Sequence, residues 1–512
     1  MVPLTLPEGR GGWWHDYVCQ VHGIALDPVG LTSGKFPSAG APCRYGCRID
    51  NERVRAAWTV LAHQECARQI AVLARSGVDD QQVATRLLGE YAVRYASAPT
   101  THEGAAGWML RGRLFQQALT EAIWAVRLAE AASALPTVPA EVRALLDSLA
   151  RQAATARQEL VEQGRFTANY TAWLNAAGAL CAGDPSWLDG PHGTNEHVLA
   201  ATGEDGWEWE ASTYYHTFVL RAYLLALRGR PDARLPAPVL ARLREMVAAL
   251  AAVRTPGGNL PALHDGPYAG VGVEAEYAEL WALVAERGWP VPEPTEPVTV
   301  FGRAGYAVLR APGVHAIVDF GPHGGAHGHR DKLALYLYGT TSAWQPDPGQ
   351  VPYGHPVWRA HYATTAAHPA FQVDGVEQAE CTGSLIEADE TSVTVGVDTA
   401  YPGVRARRRL AVQDGTLVDT LTVAADTPRR ISLLLRPDVP LSVRTEGEVT
   451  HSVWAGAELL VGRHTCDRPA AMVCRPGPGP ADDPQRTTTH VDWTVTDTTD
   501  VTFASTFQAQ EF

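Results

Sequence analysis

Eleven residues at 287–297, R-G-W-P-V-P-E-P-T-E-P, divide this 512-residue chain into two textures. Four prolines stand in that run. Each fixes φ and removes a backbone donor, so neither a helix nor a central strand crosses it, and the run is a stiff extended connection. Before it, apolar residues recur at spacings of three and four. Val54, Trp58, Leu61 and the run to Leu73 predict an amphipathic helix. The same pattern predicts helices over 80–96, 110–132, 140–162, 170–180, 210–227, 238–253 and 274–286, with Gly or Pro in most gaps. After it the runs are short and β-rich: 299–301, 306–309, 316–320, 333–338, 392–397, 408–412, 416–423, 430–435, 459–461 and 488–495. Helices followed by strands make a multidomain α+β chain. The expected division is an irregular arm over 1–50, an all-α domain over 51–294 and an antiparallel β-sheet domain over 295–512. Antiparallel helix pairs close as a solenoid or a toroid, and the spacing does not choose between them.

The net charge of −14 argues against a nucleic-acid partner. No apolar run reaches the 18 residues that a membrane span needs, and the first residues have no apolar leader segment. The expectation is a cytoplasmic protein, with no membrane partner and an oligomer left open. The eight cysteines are then mostly thiols. Cys19-x-x-His22 and Cys43-x-x-x-Cys47 together supply four zinc-type ligands in the N-terminal arm. The alternative is uncommitted cysteines in an irregular segment.

The densest chemistry lies at 321–347, G-P-H-G-G-A-H-G-H-R-D-K-L-A-L-Y-L-Y-G-T-T-S-A-W-Q-P-D. His323, His327 and His329 fall among four glycines, ahead of an apolar strand. Such a loop holds imidazoles rigidly at a sheet edge. His329 with Asp347 and His368 offers two imidazoles and a carboxylate, a set that suits zinc with water as fourth ligand. A His-Asp pair without metal is the rival reading.

G-x-H-G-H-x-D, the strand, Asp347-x-Gly349, Tyr353 and A-H-P-A-F-Q-V-D-G-V-E-Q at 367–378 together resemble the heparinase II/III-like polysaccharide lyases. The resemblance implies an N-terminal α/α toroid, a C-terminal β-sandwich, cleavage of uronate glycans by β-elimination and a structural zinc in the sheet domain. G-W-E-W-E-A-S-T-Y-Y-H at 206–216 resembles that family's E-x-S-x-x-Y-H segment, which makes Tyr215 the general base and acid. Tyr214 is the alternative. Asn169 becomes the donor that neutralises the substrate carboxylate, with an N-cap as its rival and Asn175 structural. The residue after Asn169 is Tyr170 rather than the family's His or Trp. His327 is the second catalytic group. Gln116 (or Gln117), His216, Glu210, Tyr353 and Arg359 are candidate substrate contacts, with His216 equally readable as an orienter buried beside Glu210.

The expected function is therefore a lyase for a glycosaminoglycan such as heparan sulfate, hyaluronan or chondroitin, acting on an acidic glycan. The alternatives are an alginate lyase, an α/α-toroid glycoside hydrolase using two of Glu208, Glu210 and Asp265, and a glycan-binding protein without activity.

Overall fold

The computed structural model describes residues 4–268 and 271–510. The chain forms two compact units. The first takes in the described residues before Thr202, with Phe218–Ala241 and Pro352–His355; the second takes in Thr202–Thr217, Arg242–Val351 and the described residues from Pro356 on.

Unit 1 is helical. Its arm carries a two-stranded ribbon, β1 (Ala41–Pro42) with β2 (Arg48–Ile49). Then come α1 (Glu52–Ala74), α2 (Val78–Ser97), α3 (Ala118–Ser133), α4 (Ala140–Glu162), α5 (Asn169–Ala182), α6 (Ser186–Asp189) and α7 (Thr194–Ala201). Helix α1 starts at Asn51, whose side chain accepts from the Val54 amide at 2.9 Å. An Asx cap of this kind satisfies a donor that the first turn leaves over. The helix buries Val54, Ala57 and Trp58 against the arm. Helix α4 packs on its chain neighbour α5, while α1 packs on α3 more than on α2, and α3 packs on α5. Helix α8 (Thr213–Ala226) gives its first turn to unit 2 and the rest to unit 1.

One expected helix is shorter than its pattern. The residues from 110 do not coil, and α3 begins only at Ala118. The buried Glu121 carboxylate draws in the amides of Arg113 (2.8 Å), Leu114 (2.7 Å) and Phe115 (3.3 Å). Those donors are satisfied outside a helix, so the segment stays a loop.

Unit 2 combines α9 (Ala237–Val253) from Arg242 onward, α10 (Val271–Glu286) and two antiparallel sheets. Five strands, β3 (Val298–Phe301), β4 (Tyr306–Ala311), β5 (Val314–Asp319), β6 (Leu335–Tyr338) and β7 (Ala343–Gln345), pair in chain order. After α11 (Pro356–Tyr362) come β8 (Phe371–Val373), β9 (Ser384–Ala388), β10 (Ser392–Val397), β11 (Val404–Gln413) and β12 (Thr416–Leu435). They are followed by β13 (Leu441–Glu446), β14 (Val449–Ala455), β15 (Leu459–Cys466), β16 (Ala471–Pro478) and β17 (Thr487–Gln510). The main path of that sheet is β13-β14-β15-β17-β12-β11-β10-β9. Side chains from both sheets, among them Leu335, Leu337, Leu421 and Phe503, make one core.

The texture changes near 295 as expected, but the compact units divide elsewhere. Thr202–Thr217 and most of α9 belong with the sheets. Strand side chains bind them: Tyr306 Oη donates to the Ala211 carbonyl at 2.7 Å, Arg310 to Ala252 at 2.6 Å, and His315 Nε2 lies 3.2 Å from the Val253 carbonyl. This also explains why β5 is buried on both faces. The helical N-terminal region and the antiparallel β domain after it have the toroid-plus-sandwich architecture. No helix among the described residues is long and apolar enough to cross a membrane.

Candidate active site

Four segments of unit 2 converge: the loop before α8, the 264–265 turn, the glycine loop before β6 and the stretch through α11 to β8. The glycine loop needs its glycines. A Cβ on Gly328 would lie 1.2 Å from the His323 carbonyl oxygen, so only glycine permits that backbone contact. The loop then presents His327 and His329 to different neighbours.

His327 Nδ1 lies 2.7 Å from Glu210 Oε1, and its ring stacks on Tyr215 with centroids 3.7 Å apart and planes at 18°. Burial works against a charge on His327, but Glu210 and then Asp265 outweigh it and raise its pKa above the ordinary value. Glu210 reaches it because the predicted helix over 210–227 starts three residues late, at Thr213. Ala211 has φ of 57°, and Ser212 Oγ donates to the Asp265 carbonyl at 2.5 Å, which fixes the approach to α8. Tyr215 is 8% exposed. Trp209, 42% exposed, lies against Gly325 of the same loop. Sequence alone does not single it out, since fifteen Trp look alike without burial.

Of the two readings of His216, the structure supports the buried orienter rather than the substrate contact. It is fully buried, its Nδ1 accepts from the Glu208 amide at 3.3 Å and its Nε2 lies 3.0 Å from the Met246 carbonyl. Burial pushes it down to about 3, so it is a neutral anchor of α8. Glu210 likewise serves His327 and is 4% exposed. Arg359 donates to the Ala326 carbonyl at 3.3 Å and lies 3.6 Å from Asp265, strapping the glycine loop while staying about one-third exposed.

The remaining candidates belong to unit 1. Asn169 is the first residue of α5, and the cap position is Ala168, so the N-cap reading fails. Asn175 is structural as expected, accepting from Arg157 at 2.8 Å and donating to the His192 carbonyl at 3.0 Å. Gln116 sits on the loop that Glu121 holds, not on a helix face, and Gln117 bonds Tyr170 Oη and Thr120. Tyr353 stacks on His15 at 4.2 Å.

Behind His327 the loop turns His329 inward. His329, Asp331, Asp347 and His368 are buried, with ligand atoms all within 4.8 Å of one another. The tautomers test the fit. His368 Nδ1 gives its proton to the Thr364 carbonyl (2.8 Å), and His329 Nε2 gives its proton to Asp265 (3.0 Å). That leaves two lone pairs, on His329 Nδ1 and His368 Nε2, facing each other at 3.0 Å. Such a pair is satisfied by a shared proton or by a metal ion between the rings, and outer partners of this kind are what orient metal-binding imidazoles. Burial raises Asp347 to about 6, the state of a carboxylate short of positive charge. The set therefore fits a divalent metal. Asp331 stands beside these three residues, where the sequence-based expectation placed water as the fourth ligand. Its signal was present, because His329 and Asp331 are two apart, the spacing that puts two side chains on one side of extended chain. Asp331 also faces His264 and Asp319, but there Lys332 pairs with both carboxylates and supplies the charge.

Residues 293–476 match the family model described as Heparinase II/III-like, C-terminal. No curated protein matches the chain in sequence. Among solved structures, a mutant of the heparan sulfate lyase HepC from Pedobacter heparinus aligns with a TM-score of 0.66 at 14% identity, over 91% of this chain and 78% of that one. A heparinase III aligns with a TM-score of 0.63 at 14% identity, over 99% and 86%. Residues 293–476 are thus those of a heparinase II/III-like C-terminal domain, and the chain as a whole is folded like heparinase III.

Proposed function

We propose that this protein is a polysaccharide lyase that breaks uronate-containing glycans by β-elimination, with Tyr215 moving the proton. The observation that carries the reading is the stack of Tyr215 on a His327 imidazole held by Glu210. A free tyrosine titrates near ~10, so a base role needs positive charge beside it. Glu210 raises the pKa of His327 and so favours its charged form, on the face of the phenol ring. Tyr215 as phenolate takes the C5 proton of the uronate. The C5 electrons form the C4=C5 double bond, the C4–O4 bond breaks, and the same phenol returns its proton to the departing O4. No water is consumed. The family resemblance assigns the substrate carboxylate, whose charge grows in the transition state, to Asn169. Trp209 offers a face for a sugar ring.

A zinc ion at His329, Asp331, Asp347 and His368 would supply the charge those buried ligands need and fix the far end of the loop that carries His327. Its role is structural. The favoured substrate is a glycosaminoglycan, supported by the fold shared with heparinase III. Alginate is the alternative under the same chemistry. The hydrolase reading lacks its pair of opposed carboxylates. Glu208 and Glu210 are buried neighbours, and Asp265 is committed to His329. The test is incubation with heparan sulfate, chondroitin sulfate, hyaluronan and alginate, following both ultraviolet absorbance and reducing ends. A lyase yields both together. Reducing ends without the unsaturated-uronate chromophore contradict the proposal.

A further inference from the structure

A second cluster lies in the N-terminal arm of unit 1, and it stands independently of the lyase reading. Cys19, His22, Cys43 and Cys47 have their ligand atoms within 4.8 Å of one another. His22 Nδ1 lies 3.5 Å from Cys19 Sγ, 3.5 Å from Cys43 Sγ and 3.6 Å from Cys47 Sγ. None of the three cysteines is in a disulfide. One ring nitrogen has a single lone pair or a single proton, so hydrogen bonding does not account for three sulfurs around it. A shared cation does. With Zn–S near ~2.3 Å and Zn–N near ~2.05 Å, a tetrahedron has S···N edges of about 3.6 Å. The observed spacings are those edges.

The backbone is built for it. The Cys19 amide donates to the Ile24 carbonyl at 2.9 Å and the Gly23 amide to the Cys19 carbonyl at 2.8 Å, closing a turn around Cys19 and His22. The Cys43 amide donates to Cys47 at 3.0 Å and the Gly46 amide to Cys43 at 2.8 Å, with Gly46 at φ +85°. This second turn is the tip of the β1–β2 ribbon. We propose that these four residues bind a structural zinc ion that folds the N-terminal arm onto α1. Three thiolates and one imidazole close the tetrahedron, leaving no position for substrate or water. Binding displaces the thiol protons, so the site loads as pH rises. The arm so fixed reaches another segment of unit 1. Gln20, between two ligands, donates to the Gly354 carbonyl at 3.0 Å, and His15 stacks on Tyr353. Without metal the fixed point of those contacts is lost.

The test uses the full-length protein, purified under reducing conditions, exchanged into cobalt(II) and read by absorbance. Thiolate ligands give an intense ligand-to-metal charge-transfer band that a His/Asp site lacks, so the sheet-domain cluster does not mimic it. The expected result is that band in the wild type and in His329→Ala, its loss in Cys43→Ser, and a lower melting temperature after chelation. A wild-type protein without the band, a disulfide among Cys19, Cys43 and Cys47 by mass spectrometry, or a band that survives in Cys43→Ser overturns the proposal. The wild-type spectrum decides even where the variant does not fold.

Discussion

Glu210 and His327 are 117 positions apart, and their 2.7 Å contact defines the site's electrostatics. A histidine with a raised pKa keeps its proton to higher pH and loses it as pH rises through that value. Glu210→Gln removes the main support, so the alkaline limb of kcat should move to lower pH, and kcat should fall about tenfold or more. A pH–rate profile of the variant checks this. His327 and His329 are two residues apart with different roles. His329→Ala should lose metal and thermal stability, because a ligand bound only by the folded state stabilises it. His327→Ala should keep both and lose turnover. Elemental analysis with thermal melts separates them, and metal loss in His327→Ala would refute the division of labour.

At the scale of elements, β11 joins β12 through a buried ion pair. Arg408, 1% exposed, donates to both Asp419 oxygens at 2.7 and 2.6 Å and to the Leu333 carbonyl at 2.6 Å. Removing one partner strands the other charge in the core. Arg408→Ala should therefore cost about 3–5 kcal/mol, read by denaturant unfolding of the sheet unit. A loss within experimental error contradicts the account of that core. Element types were legible where periodicity was long, as in α1, α4 and the β5–β6 region. Boundaries failed where a distant or buried group took over backbone donors, as the Glu121 carboxylate does before α3 and the Glu208 carboxylate does at the Glu210 amide before α8. The site was legible in part for the same reason. Tyr215, His327 and the His329 cluster are marked by local motifs. The pairing of Glu210 with His327, the burial of His216 and the exposure of Trp209 come from tertiary packing, which local sequence does not display.

At the scale of the whole molecule, several histidines are buried neutral. Burial pushes His63 and His315 down to about 3, and His197 and His464 down to about 4. In the unfolded chain they take protons near the ordinary value. Their contribution is thus complete above about pH 6.5 and shrinks as pH falls toward the folded values, by on the order of 1–2 kcal/mol per histidine between about pH 6.5 and 5. His464 sits between Ser452 Oγ (2.8 Å) and Ser505 Oγ (2.9 Å), so His464→Gln keeps a polar bridge and should flatten the acid side of the stability curve. Melting temperature against pH for the two proteins checks this, and parallel curves would contradict it.

The central claim is that one phenol, set on the His327 ring, moves the proton of an elimination. Tyr215→Phe removes only the hydroxyl and leaves the stacked ring in place. The decisive measurement is the rate of unsaturated-uronate absorbance for Tyr215→Phe beside the wild type, on the glycan that the wild type cleaves, with melting temperatures of both. The account predicts an unchanged fold and a rate reduced to background. A variant that still forms the chromophore at a rate near that of the wild type contradicts it.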